Sequence, residues 1–172
     1  MNSPKVKICG ISNIEILKTL ISLDLDFIGF IFYSKSPRYV DTKFLQSIED
    51  IDFKDSRPVC VYVNADENYI YETSSYFNNP ILQFHGDEAP NFCDAFHRPY
   101  MKAIRMKADI NIEQVIESYP NASGILLDTY RKGVPGGTGE TFDWNRVPAR
   151  QPAQQSVRQP DKQGLPPIIL AG

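Results

Sequence analysis

The sequence predicts an α/β chain, a (β/α)8 TIM barrel in which about seven strands are present and the last βα unit is missing. Three observations predict it. Short apolar, β-branched runs recur at 6–9, 27–32, 58–63, 81–85, 101–106, 124–128 and 168–171. Segments of helical character lie between them, and strands that alternate with helices pair in parallel through right-handed crossovers. Seven runs in steady alternation also exceed the five or six strands of an open doubly wound sheet. The chain has 172 residues, whereas a full barrel takes at least roughly 200. Residues 1–172 are therefore read as one barrel domain that stops where its seventh strand hands over to a loop.

The first strand, Val6-Lys7-Ile8-Cys9, is followed by Ile14, Leu17, Leu20 and Ile21, apolar side chains at helical spacing. Ser12, with Glu15 three residues later, has the pattern of a capping box and is expected to start that helix. Similar helices are expected at 42–48, 65–76, 89–96 and 112–118. Residues 148–167 break the rhythm with five Pro and five Gln, and that composition reads as a loop within the domain. It stands where a sixth crossover helix would fall.

Composition narrows the function classes. Hydrophobic residues make up 42% and charged residues 23%, as in a soluble globular protein. A net charge of −3 gives no electrostatic case for a nucleic-acid or anionic-membrane partner. No apolar run approaches the roughly 20 residues that span a bilayer, and the N-terminus lacks a secretory apolar segment. A cytoplasmic location is expected. Cys9, Cys60 and Cys93 are too scattered for a disulfide framework or a zinc site, and His85 and His97 are too few for a histidine-rich metal site.

Side chains alternate across a strand, so parity sorts them onto two faces. Val6 and Ile8 share one face and Lys5, Lys7 and Cys9 the other. Leu82 and Phe84 oppose Gln83 and His85, and Ile125 and Leu127 oppose Leu126 and Asp128. The apolar sets are expected under helices and the polar sets inside the barrel. Taken singly, Cys9 reads as a small buried hydrophobe, Asp128 as a turn cap and His85 as a polar residue bonded to backbone. Their shared position at strand ends, which form the active-site face of this fold, reads them instead as a thiol, an imidazole and a carboxylate on one rim. Gly136-Gly137-Thr138-Gly139 offers backbone N–H groups to an anion, or is simply a flexible loop. Arg38, in Ser34-Lys35-Ser36-Pro37-Arg38, is suited to a bidentate carboxylate pair, or belongs to a solvated basic loop.

Together these segments resemble the phosphoribosylanthranilate isomerases of tryptophan biosynthesis. The resemblance rests on Lys7-Ile8-Cys9-Gly10-Ile11-Ser12, Gly29-Phe30-Ile31-Phe32, Ser36-Pro37-Arg38-Tyr39-Val40 and Val61-Tyr62-Val63-Asn64. It continues through Leu82-Gln83-Phe84-His85-Gly86-Asp87-Glu88, Leu127-Asp128, Gly136-Gly137-Thr138-Gly139, Phe142-Asp143-Trp144 and Ile169-Leu170-Ala171-Gly172. These pieces fall in family order over nearly the whole chain. The resemblance implies an Amadori rearrangement of N-(5-phosphoribosyl)anthranilate to 1-(2-carboxyphenylamino)-1-deoxyribulose 5-phosphate, with no metal or organic cofactor. It implies Asp128 as general acid and Cys9 as general base. Arg38 would hold the anthranilate carboxylate, with His85, Gly137, Thr138 and Gly139 lining the substrate and Gly172 opening the phosphate loop. The acid must stay protonated while the base acts as a thiolate, and Lys7, on the strand face of Cys9, would supply positive charge. The family pattern continues past Gly172 with a further helix, an eighth strand and the rest of the phosphate site. Its absence would expose the edges of the first and seventh strands to self-association. Expected partners are thus a small phosphorylated substrate, no nucleic acid and no membrane, in a monomer or homodimer. The alternatives are a non-catalytic barrel fragment, or another phosphate-binding barrel enzyme of the epimerase or indoleglycerol-phosphate synthase type.

Overall fold

The computed structural model describes residues 5–106, 110–129 and 166–170, in two compact units divided after Tyr100. The first unit runs β1 (Lys7–Cys9), α1 (Ile14–Ser22), β2 (Phe27–Ile31), α2 (Thr42–Ser47), β3 (Arg57–Tyr62), α3 (Glu67–Ser74), β4 (Ile81–Phe84) and α4 (Pro90–Asp94). Its strands pair in parallel, β1 with β2, β2 with β3 and β3 with β4. Cys9 stands opposite Gly29, Gly29 opposite Val59, and Val59 opposite Ile81. Because side chains alternate, this register places Cys9, Gly29, Val61 and Gln83 on one face of the sheet.

The opposite face carries the aromatic core. Phe30 is fully buried, its ring 5.0 Å from Phe77, 5.9 Å from Phe53 and 6.2 Å from Phe44 on α2. Tyr62 stacks on Phe32 at 5.3 Å and meets Tyr69 of α3 edge-on at 6.5 Å. Phe84 lies 5.7 to 6.0 Å from Phe96, Tyr100 and Phe92. β2, β3 and β4 thus each put an aromatic ring against rings from the helices and the segments beside them, at separations where edge-to-face and offset contacts are favourable.

Short polar residues start α1, α2 and α3. Asn13, Asp41 and Asp66 are extended, and their side chains accept from the N–H groups of Ile16, Phe44 and Tyr69 at 3.0, 2.9 and 2.9 Å. Asn13 therefore caps α1, where the sequence pattern pointed to Ser12. With the first helical residue at Ile14, Glu15 falls in the first turn, and it pairs with Lys18 at 3.3 Å instead of closing a capping box. A second expectation also changes. Val6 and Ile8 are 45% and 38% exposed, so among the described residues no helix buries that face of β1.

The second unit holds β5 (Tyr100–Met106), which begins at the division, with α5 (Ile112–Glu117), β6 (Gly124–Thr129) and β7 (Ile168–Leu170). β5 pairs with β6 and β6 with β7, again in parallel. Ile112 and Ile116 of α5 are buried, and Asn111 caps the helix by accepting from Gln114 N at 3.1 Å. Lys102 is buried with its Nζ 5.8 Å from the Tyr119 ring centroid. Among the described residues no helix is long and apolar enough to cross a membrane.

Two outcomes follow from the first unit's core. Phe30→Ala removes a ring that is wholly buried, and chemical denaturation should show a loss of about 3–5 kcal/mol. Burial also pushes the Cys60 thiol up to about 12, against the opposing pull of the Tyr62 hydroxyl and the Arg98 charge. Burial likewise drives the Tyr62 phenol well above its ordinary range. The fold therefore keeps protons that the unfolded chain has already released. Stability from Cys60 is complete below about pH 9 and is lost as pH rises from there toward 12. Urea midpoints should fall across that window, and Cys60→Ala should make the fall shallower by up to about 1.4 kcal/mol per pH unit.

Candidate functional site

Parallel pairing brings the C-terminal ends of β1 to β4 to one edge, and the loops beyond them carry the candidate side chains of the first unit. Cys9 ends β1 and is half-buried, whereas Cys60 and Cys93 are buried. The room for Cys9 comes from its neighbour on β2. A Cβ at Gly29 would stand 2.7 Å from Cys9 Sγ, closer than such atoms approach, so any larger residue there would displace the thiol.

The next residue shapes the same corner. Gly10 has φ +87°, and a Cβ on it would lie 2.7 Å from Arg38 Cδ and 2.8 Å from Arg38 Nη1. Only glycine combines that backbone with so close a neighbour. Arg38 Nη1 donates to the Cys9 carbonyl oxygen at 3.1 Å. The loop that presents Arg38 folds back on β2: Ser36 Oγ accepts from Arg38 N at 3.2 Å, and Val40 N donates to Ile31 O at 3.0 Å. Cys9 and Arg38, predicted from separate motifs, are thus neighbours, with a guanidinium fork above the turn that follows the thiol. Lys7 is half-buried and shares the face of Cys9, as parity predicts.

His85 lies one residue beyond β4 and is half-buried. Its backbone N–H donates to Tyr62 O at 2.8 Å, and its Nδ1 lies 3.3 Å from Gln83 Nε2. Gln83 is 2% exposed, and among the described residues its Oε1 has no hydrogen-bond partner. In the second unit Asp128 is the last residue but one of β6 and is buried. The register sets it directly opposite Arg105 of β5. Among the described residues no three His, Cys, Asp or Glu side chains gather as metal ligands. Gly137, Thr138, Gly139 and Gly172 lie outside the described residues, as does the 148–165 part of the Pro/Gln-rich stretch.

Sequence reasoning gave no role to several residues that build this geometry. Gly29 pairs with Cys9 only once the two strands are aligned. Gln83 shares the parity of His85, two residues away. Arg105 shares a face with Asp128 only when β5 and β6 are set in register. Asn64 and Glu88 stood inside family motifs without any visible partner.

Parallel βα units with reactive side chains at the C-terminal strand ends define a β/α-barrel class of enzyme. Comparison with known proteins makes this specific. The family model for N-(5'-phosphoribosyl)anthranilate isomerase matches residues 6–172. An N-(5'-phosphoribosyl)anthranilate isomerase of Pseudomonas fluorescens is 43% identical over 173 residues, covering 100% of this chain and 78% of that protein. The crystal structure of phosphoribosyl anthranilate isomerase from Thermotoga maritima has a TM-score of 0.69 at 34% identity, covering 83% of this chain and 69% of that one. A further solved structure is that enzyme type in complex with reduced 1-(o-carboxyphenylamino)-1-deoxyribulose 5-phosphate. It has a TM-score of 0.62 at 33% identity, covering 73% of this chain and 65% of that one. The fold class is α/β of the (β/α)8 barrel type, with seven parallel strands described. The chain belongs to the N-(5'-phosphoribosyl)anthranilate isomerase family.

The exposure of the three thiols sets a direct test. An aromatic disulfide reagent should meet one fast-reacting thiol in the native protein, with the other two reacting only on unfolding. Cys9→Ser should abolish the fast phase; a fast phase that survives would place the accessible thiol elsewhere.

Proposed function

We propose that this chain converts N-(5-phosphoribosyl)anthranilate to 1-(2-carboxyphenylamino)-1-deoxyribulose 5-phosphate by an Amadori rearrangement, an isomerisation in tryptophan biosynthesis. The observation that carries this reading is the corner where the Arg38 guanidinium lies against Gly10 and bonds the backbone carbonyl of Cys9, the residue that bears the half-buried thiol. A base and a carboxylate-binding group are needed close together, because the anthranilate nitrogen is bonded to the carbon next to the one that loses a proton.

In this scheme the Asp128 carboxylic acid protonates the ribose ring oxygen. The C1–O bond breaks while the nitrogen lone pair forms the C1=N bond of a protonated Schiff base. Cys9 thiolate then takes the proton from C2, and the electrons of that C–H bond form C1=C2 as the C1=N pair returns to nitrogen. The resulting enolamine loses its enol proton and gains one at C1, leaving the C2 ketone. Atoms and electrons balance within the substrate. General acid and general base steps of this kind contribute on the order of 10²–10⁴-fold each. The bond from Arg38 to the Cys9 carbonyl takes one donor of a fork that has five, leaving donors for a bidentate grip on the carboxylate. His85, beyond β4, would line the substrate, with the residues 137–139 and Gly172 assigned to the loops around it and its phosphate.

Turnover of N-(5-phosphoribosyl)anthranilate by the purified chain is the test. Cys9→Ser and Asp128→Asn should each lower kcat by about 10²–10⁴-fold, while Arg38→Ala should raise KM more than it lowers kcat. A rate untouched by either of the first two changes would remove that residue from the mechanism.

A further inference from the structure

The loops after β3 and β4 are fastened to each other by two side chains that point in opposite directions along the chain. Glu88 reaches back: its Oε1 accepts from Asn64 N at 2.8 Å, and its Oε2 and Oε1 accept from Gly86 N at 2.9 and 3.2 Å. Asn64 reaches forward, its Oδ1 accepting from Asp87 N at 2.7 Å. Each loop thus supplies a side-chain acceptor to the other's backbone. The clasp is tight. Asn64 takes the left-handed conformation at φ +50°, and a Cβ on Gly86 would overlap the Asn64 side-chain amide and stand 2.8 Å from Asn64 N.

Glu88 is only 6% exposed, and burying a carboxylate is costly unless hydrogen bonds offset the lost water. Helix capping does not account for the charge, because α4 begins from Ala89 without any side-chain cap. The carboxylate spends its acceptors on the two loop backbones instead. Those bonds close on Gly86, the residue directly after His85. His85 is then held on both sides: its own N–H is tied to Tyr62 O at 2.8 Å, and the following N–H is tied to Glu88. Its ring sits 3.3 Å from the Gln83 amide.

We infer that Glu88, with Asn64 as its counterpart, is a positioning residue that sets the place of the His85 ring at the C-terminal end of β4. This rests on the isomerase reading for its consequence in catalysis, though not for the geometry. Glu88 touches no reacting atom in this scheme; it acts through Gly86 N and Asn64 N. A carboxylate serves better than an amide, because Gln at 88 would set an NH2 group against one of the backbone N–H donors.

The experiment compares the whole chain with Glu88→Gln and Asn64→Gly. Glycine tolerates the left-handed backbone at 64 and removes only the acceptor for Asp87 N. Steady-state kinetics on N-(5-phosphoribosyl)anthranilate are read together with the ring resonances of the two histidines, His85 and His97. Each variant should lose on the order of tenfold in kcat/KM, chiefly through KM, as expected when a contact group is misplaced. The His85 resonances should move while those of His97 stay, and the double variant should be little worse than either single one. His85 resonances that stay in place in both variants would overturn the inference, as would kcat/KM within twofold of the parent. A parent chain without turnover would overturn the isomerase reading alone, and the His85 resonances would then decide the clasp by themselves.

Discussion

The parallel pairing of β1 with β2, in the register that sets Cys9 against Gly29, is the constraint from which the first unit's site follows. That register delivers the thiol to the C-terminal edge of the sheet and gives it the space of a missing side chain. It also carries the chain through Gly10, where a positive φ turns the backbone under Arg38. The loop beyond β2 returns to its own strand through Val40 N and Ile31 O, so Arg38 is presented from a short, closed segment. A slip of one residue in this pairing would reverse every face and separate all of these groups.

The same alternation that presents polar groups at one face drives burial at the other. Phe30, Tyr62 and Phe84 come from three neighbouring strands and each sits in its own cluster of rings. Apolar burial of this kind is the main favourable term in folding, and it holds the strands in the register that the site needs. β1 stands apart, because the apolar face of Val6 and Ile8 is exposed while its site-bearing face is half-buried. Its position rests on the ladder to β2, on Phe27 N donating to Val6 O at 3.1 Å, and on Asp26, whose carboxylate accepts from Val6 N at 2.8 Å.

Much of the fold was legible in the sequence because its period is simple. Runs of β-branched and aromatic residues marked the strands to within a residue or two, and helical spacing marked every helix that is described. Ends were less legible. Ser12 and Asn13 are both good capping residues, and only the backbone conformation decides which one starts α1. The helices expected at 65–76 and 89–96 are shorter in the structure, beginning after Asp66 and at Pro90. Cys9 and Arg38 could each be picked out from their motifs, as could His85 and Asp128 from their places at strand ends.

By itself the sequence determined the order of strands and helices, the faces on which side chains fall, and the types of reactive group at the strand ends. These are local properties, set by hydrophobic period and turn chemistry. Tertiary structure alone decided which of those groups are neighbours. Gly29 makes room for a thiol twenty residues earlier, Arg38 lies against Gly10, Arg105 stands opposite Asp128, and Glu88 fastens to Asn64. The physical reason is that register and loop closure are properties of pairs of segments. No window along a single segment contains both partners, so their distances become readable only when the strands are laid side by side.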